Sequence, residues 1–250
     1  MKVVAVIPAR YSSTRFAGKV LAKDTGKFLI QHTYERACLA KLPEKVIIAA
    51  DNEKVVAAAD TFGAECVLTS PDHQSGTDRI AEAVADMDVE IIVNLQGDEP
   101  EIDPGNIDYL AKMLMDNPDC PMATLAAEFQ NAGQVSDPNI VKAIVGCNNK
   151  AIYFSRSPIP YDREKSGVGN VRQYLRHIGI YAYRKKFLLE ITALPQTPLE
   201  KIEKLEQLRA IENGYSILVG KVKHTCDGID TPEQYAEFVK RYKERKKNEV

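Results

Sequence analysis

Apolar residues fall into two rhythms along the first hundred positions. Val3–Ile7 is an unbroken run, rich in β-branched side chains, that predicts a buried strand. Ile30, Tyr34 and Ala37 then recur at spacings of four and three, the stripe of a helix. Val46–Ala50 is a second strand-like run, closed by Asp51-Asn52, a pair suited to cap a following helix. That helix carries Val55, Val56, Ala59 and Phe62 and stops at Gly63. Cys66–Leu68 predicts a third strand, Ile80, Val84 and Met87 another helix, and Ile91–Leu95 a fourth strand. Strands apolar on both pleat faces, alternating with amphipathic helices, predict a three-layer, Rossmann-like α/β fold. Its sheet is mostly parallel, with helices on both faces. Such sheets gather their strand-to-helix turns at the carboxyl edge, where ligands bind.

The second half is less regular. Met122–Ala126, Ile140–Val145 and Ile178–Tyr183 predict strands, and Asn148-Asn149 marks a hairpin turn. The segment 155–173 holds Pro158, Pro160, Gly167 and Gly169 and predicts a long exposed arm, functional or interfacial. Leu199–Gly214 predicts one helix stopped by its glycine, and Pro232 opens a last helix with a basic end at Lys240–Lys247. With no linker and no repeat, residues 1–250 are expected to form one domain carrying a β-rich insertion at about 150–190.

Charge narrows the function. Thirty-three basic against 35 acidic residues leave a net charge of −2 and a pI near 6.1. That balance offers no basic face for a nucleic acid. No apolar run is long enough to span a membrane. The apolar start gives way to Arg10 and Arg15 and reads as strand and loop, not as a signal peptide. Five cysteines at unrelated spacings read as reduced thiols of a cytoplasmic protein.

Five segments carry chemistry. The turn after the first strand, residues 8–19, holds Arg10, Arg15 and Lys19 and no acid. Arginine forks, a mobile lysine and loop amides match a polyphosphate. Composition alone does not separate that from a surface loop with incidental basic residues. Gln96-Gly97-Asp98 delivers a carboxylate to the sheet's carboxyl edge, suited to Mg²⁺ or, equally, to a helix cap. Asp230, ahead of Thr231-Pro232, poses the same choice; paired with Asp98 it would complete a metal site. The polar loop 70–79, including Gln74, Ser75 and Arg79, suits hydrogen bonds to a base edge or an ordinary capped turn. Arg176-His177, with Arg156, could meet an acidic substrate, although a lone histidine is commonly structural.

Together these stretches resemble one family. Ile7-Pro8-Ala9-Arg10, Ser13-Thr14-Arg15 and Gly18-Lys19 resemble the signature loop of cytidylyltransferases for acidic sugars. The segments 73–79 (HQSGTDR), 96–100 (QGDEP), 153–156 (YFSR), 176–181 (RHIGIY), 205–209 (LEQLR) and 228–232 (GIDTP) are similar to the 3-deoxy-manno-octulosonate (Kdo) cytidylyltransferase family, or CMP-Kdo synthetases. The resemblance runs from about residue 3 to residue 240. It implies a nucleotide-diphospho-sugar transferase-like fold and transfer of CMP from CTP to Kdo with release of diphosphate, in lipopolysaccharide biosynthesis. It further implies a Mg²⁺ cofactor and a cytoplasmic homodimer with the insertion serving dimerisation and sugar binding. By matching positions, Arg10, Ser13, Arg15 and Lys19 hold the triphosphate, with Arg15, Lys19 and Asp98 catalytic. Gln74, Ser75, Arg79 and Gln96 lie near the cytidine. Asp98 and Asp230 hold the metal, and Arg156, His177, Tyr181, Glu200 and Gln207 line the sugar pocket. Two readings stay open: CMP transfer to an N-acylneuraminate or 8-amino Kdo analogue, and a non-catalytic nucleotide-binding protein. The family loop reads Pro-Gly-Lys-Pro where this chain has Ala17-Gly18-Lys19-Val20. Losing two residues that pre-set φ predicts a more mobile loop.

Overall fold

The computed structural model describes residues 1–12, 16–223 and 228–248. In chain order the elements are β1 Val3–Ala9, α1 Leu29–Ala37, β2 Lys45–Ala50, α2 Glu53–Asp60, β3 Glu65–Leu68, α3 Gly76–Val84, β4 Ile91–Asn94, α4 Pro104–Asp116, β5 Met122–Glu128, α5 Ala132–Ser136, β6 Lys142–Val145, β7 Ala151–Ser155, β8 Leu175–Arg184, α6 Lys185–Ala193, α7 Pro198–Glu203, α8 Gln207–Glu212, β9 Ile217–Lys221 and α9 Pro232–Asn248. The chain divides into two compact units. The first comprises Lys2–Val89, Asn94–Asp108 and Cys226–Val250; the second comprises Met1, Glu90–Val93 and Tyr109–Thr225. The region 150–190 falls within the second.

In the first unit β1, β2 and β3 run parallel, with Val4 opposite Lys45 and Ile47 opposite Glu65. Val3–Ile7 is buried on both pleat faces, so the strand needs cover on each; α1 and α3 both pack on β1 and β2. Local chemistry sets the helix starts. The Asn52 side chain accepts the Lys54 N–H at the head of α2, as the Asp51-Asn52 pair predicts. Ser75 and Asp78 form a reciprocal capping box on α3. The last helix docks through aromatic residues. Tyr235 and Phe238 share a buried cluster with Leu29 and Ile229, and the Tyr235 hydroxyl accepts the Asp24 N–H at 2.8 Å. His32 of α1 lies edge-on to Phe238 and Tyr242. Arg241 and Arg245 pair with Glu101.

The second unit is built on β5, antiparallel to β8 and parallel to β9. β6 pairs antiparallel with β7 and β8, and Asn149 takes φ +58° in the expected hairpin turn. The arm is held at one end by buried Tyr174, whose hydroxyl donates to the Pro160 carbonyl and accepts the Gly169 N–H. Two expectations change. β8 runs from Leu175 to Arg184, longer at both ends than Ile178–Tyr183. The single helix expected over Leu199–Gly214 is two, α7 and α8, separated at Lys204 with φ +53°. The Arg156 guanidinium donates to the Glu203 and Lys204 carbonyls there, and the break lets Leu205 and Leu208 both bury. Helices α4 and α6 and strand β9 went unread in the sequence.

Candidate functional site

The loop after β1 and the turn after β4 meet in the first unit. Leu95 donates its N–H to the Val6 carbonyl at 3.0 Å, which fixes Gln96-Gly97-Asp98 beside the end of β1. Gly97 is needed for that approach: a Cβ there would lie 3.0 Å from the Pro8 carbonyl oxygen, with β1 backbone unable to yield. Gly18, at φ +65°, turns the chain into a short 3₁₀ segment, Lys19–Leu21. That turn is closed by backbone bonds from Lys19 to Phe16 and from Leu21 to Gly18. Glycine thus supplies the bend in a loop that lacks its flanking prolines.

The result is an open cleft of about 420 Å³, lined by Arg10, Ser12, Lys19, Gln96, Asp98 and Asp230, with Pro8, Gly76 and Gly97 among its walls. Lys19 is at its centre. Its Nζ donates to Asp98 Oδ2 at 2.6 Å and to Asp230 Oδ1 at 3.3 Å, and the lysine side chain is only 10% exposed. Neither aspartate is spent as a cap. At the start of α9 the cap is Thr231, whose hydroxyl accepts the Gln234 N–H, while Gln234 Oε1 accepts the Asp230 and Thr231 amides. The Asp230 carboxylate is therefore directed at Lys19.

The other residues expected at this site are differently engaged. Ser13 and Arg15 lie outside the described residues. Arg10 is exposed and donates to the His73 carbonyl at 2.5 Å, joining the basic loop to the loop 70–76. Gln74 folds back onto the Asp72 carbonyl, and the Ser75 hydroxyl accepts the Asp78 N–H of its helix. Arg79 does not face the cleft. It is fully buried, donates to Thr69 Oγ1 at 2.6 Å and the Ser70 carbonyl, and lies 3.7 Å from Asp51. Burial holds this guanidinium below its ordinary range, partly countered by Asp51. Asp51 in turn accepts the Tyr11 N–H at 2.8 Å, so a buried ion pair anchors the first residues of the basic loop. Read from sequence only as part of a helix cap, Asp51 is a supporting residue that sequence reasoning missed.

In the second unit the candidate sugar residues lie on β8 and on the α7–α8 segment. His177 is half-buried between Phe154 and Tyr181, with ring centroids 4.9 and 5.5 Å away. Burial pushes its imidazole down to about 3, so the ring is neutral at physiological pH. Its tautomer follows from its partner. The single proton of the Thr124 hydroxyl is committed to the Ile178 and Ile180 carbonyls, so Thr124 Oγ1 accepts from His177 Nε2–H at 3.0 Å. That assignment leaves Nδ1 as the ring's acceptor. Thr124 was legible as a polar break in the apolar run Met122–Ala126, but its role was not. Burial and the nearby Glu206 raise the Tyr181 hydroxyl's pKa. Glu206 thus joins this cluster, a residue present in the quoted motif and not singled out.

Gln207 is buried, and its Nε2 has no hydrogen-bond partner among the described residues, which makes it a donor available to a ligand. Arg156 and Glu200 have structural partners. Arg156 donates to the carbonyls of Pro138, Glu203 and Lys204. Glu200 is buried against Arg209 through a two-pronged contact of 2.6 and 2.9 Å, and also accepts the Thr197 N–H in a capping box.

Known proteins resemble this chain in sequence and fold. The sequence model described as cytidylyltransferase matches residues 4–218. The chain is 50% identical to the 3-deoxy-manno-octulosonate cytidylyltransferase of Solibacter usitatus over 93% of this chain and 91% of that one. It is 47% identical to the protein of that name from Syntrophotalea carbinolica, over 93% and 95% of the two chains. A solved structure titled CMP:2-keto-3-deoxy-manno-octonic acid synthetase complexed with CTP superposes with a TM-score of 0.92 at 40% identity, covering 98% of this chain and all of that one. A glucose-1-phosphate thymidylyltransferase structure from Bacillus anthracis, described as putative, aligns at a TM-score of 0.67 with 14% identity, over 96% and 95% of the chains, and shares the fold alone. Matched over more than nine-tenths of its length by these relatives, the chain belongs to the 3-deoxy-manno-octulosonate cytidylyltransferase family.

Proposed function

We infer that the protein activates Kdo with a cytidylyl group: CTP + Kdo → CMP-Kdo + diphosphate. One observation carries the reading. Asp98 and Asp230, from distant parts of the chain, converge on Lys19 in a cleft that Arg10 also lines. The anomeric hydroxyl of Kdo displaces diphosphate in line at the α-phosphorus, a reaction catalysed by positioning and charge neutralisation. Lys19 and Arg10, with Arg15, bind the triphosphate and take up charge as diphosphate departs. Gln96 and the loop 70–76 approach the cytidine.

Two carboxylate donors suit Mg²⁺, a hard cation that keeps waters and shares phosphate oxygens. The donor set fits: both carboxylates already surround one positive charge, and among the described residues no larger group of His, Cys, Asp and Glu competes. Asp98 and Asp230 would hold the ion. Bound there, it supplies the positive charge that an α-phosphate needs to accept an incoming oxygen. The neutral His177 offers Nδ1 to a sugar hydroxyl, while Gln207 Nε2 donates to an oxygen of the sugar acid.

The described cysteines are free thiols, which suits a cytoplasmic enzyme feeding lipopolysaccharide synthesis. No helix among the described residues is long and apolar enough to cross a membrane. Exposed Ile152, Tyr161 and Ile202 in the second unit support a homodimer, tested by sedimentation equilibrium. Diphosphate release from CTP in the presence of Kdo and Mg²⁺ tests the activity. Preference for an N-acylneuraminate or 8-amino Kdo in the same assay would reassign the sugar, and no release with any of them would refute the reading.

A further inference from the structure

We propose that Lys19 is an exchangeable internal cation. Its ammonium occupies the space between Asp98 and Asp230; an incoming triphosphate draws it off and opens the pair to a divalent cation. The inference rests on reading those carboxylates as the metal ligands, and it adds how nucleotide and metal come to depend on each other.

The geometry carries it. A site required only to hold a metal gains nothing from a lysine set between its ligands. Here the Lys19 ammonium contacts both carboxylates and is the least exposed of the three side chains, at 10% against 26% for Asp98 and 43% for Asp230. One positive charge between two negative ones leaves a net charge of −1, whereas a divalent ion balances the pair. Of the three ammonium protons, two lie on the carboxylates, which leaves one to engage an arriving phosphate oxygen. The lysine stem is flexible and its head is a point charge without fixed bonding geometry, whereas its backbone is fixed by the 3₁₀ turn after Gly18. Arg10 lines the same cleft, so a triphosphate entering it meets both cations. A polyanion outbids either carboxylate for the ammonium. By linkage, whatever factor the nucleotide adds to metal affinity, the metal adds to nucleotide affinity.

Mn²⁺ titration of nucleotide-free protein, followed by electron paramagnetic resonance, provides the test. Lys19→Met is expected to bind Mn²⁺ about tenfold or more tightly than wild type, since a competing charge has gone. Lys19→Arg keeps the charge and keeps the weak wild-type affinity. CTP binding measured in EDTA falls in Lys19→Met. Lys19→Gln replaces the Met variant if circular dichroism shows the latter unfolded. Neutral variants that bind Mn²⁺ no tighter than wild type would overturn the exchange. Adding Asp98→Asn or Asp230→Asn to Lys19→Met should abolish the gain. Tight Mn²⁺ binding that survives both would instead show that the carboxylates are not the metal ligands, and the underlying reading would fall with it.

Discussion

The charged cleft and the histidine cluster are built in opposite ways. The cleft is open, built on loops, and relies on full charges: Arg10 exposed, Lys19 shared between two carboxylates, Asp230 partly in solvent. The cluster on β8 is half-buried, and the hydrogen-bonding groups His177, Thr124 and Gln207 are uncharged. His177 has lost its charge to burial, Thr124 sets its tautomer, and Gln207 offers an uncharged amide. The contrast matches the ligand proposed for each. A triphosphate must be gripped and its diphosphate then released, which favours solvated charges that can be traded. A sugar has to be told from its analogues, which favours fixed hydrogen bonds whose loss is costly when buried.

Breaking the charged region should produce the largest effect. Asp98→Asn is expected to lower kcat about a thousandfold while CTP still binds. Normal diphosphate release from that variant would leave the cleft without its assigned chemistry. Next comes the internal brace of the second unit. Glu200→Gln strands the Arg209 guanidinium in a buried setting and should cost about 3 kcal/mol or more in urea unfolding. A loss below 1 kcal/mol would free Glu200 for the sugar instead.

Gln207→Leu sharpens the comparison. If its unpartnered amide serves the sugar, KM for Kdo rises roughly tenfold, KM for CTP holds, and stability is unchanged or improved. A fall in stability without a change in KM would make it a packing residue. A smaller effect is expected from pH. Burial lowers His177 to about 3 and His32 to about 4, below the ordinary 6.5. The unfolded chain then binds more protons in that interval, so both histidines cost stability as pH falls from about 6.5 toward 4. Thermal melts of His32→Gln should show a flatter decline than wild type over that window, and parallel curves would rule the titration out. Arg241→Ala, at an exposed ion pair with Glu101, should change stability by less than about 1 kcal/mol.

Much of the fold was legible because its signals are local. Val3–Ile7, Val46–Ala50 and Ile91–Leu95 announce strands through their own composition, and Asn52 and Gly63 mark boundaries with their own side chain or its lack. Lys204 gave no such sign. Nothing in its neighbourhood forbids a continuous helix; the chain turns where Ser155 and Arg156, at and just after the end of β7, bond to Glu203 and Lys204.

The sequence by itself determined the strand-and-helix alternation, the charge of the loop after β1, and the presence of two aspartates beside flexible glycines. Tertiary structure decided what each charged group is for. Asp98 and Asp230 became partners because Leu95 pairs with Val6 and α9 packs through Tyr235 and Phe238. Arg79, Arg156 and Glu200 became structural struts because carbonyls and counter-charges lay within their reach. A residue's type fixes which bonds it can make; which bonds it does make depends on neighbours that arrive from elsewhere in the chain, and no local pattern encodes them.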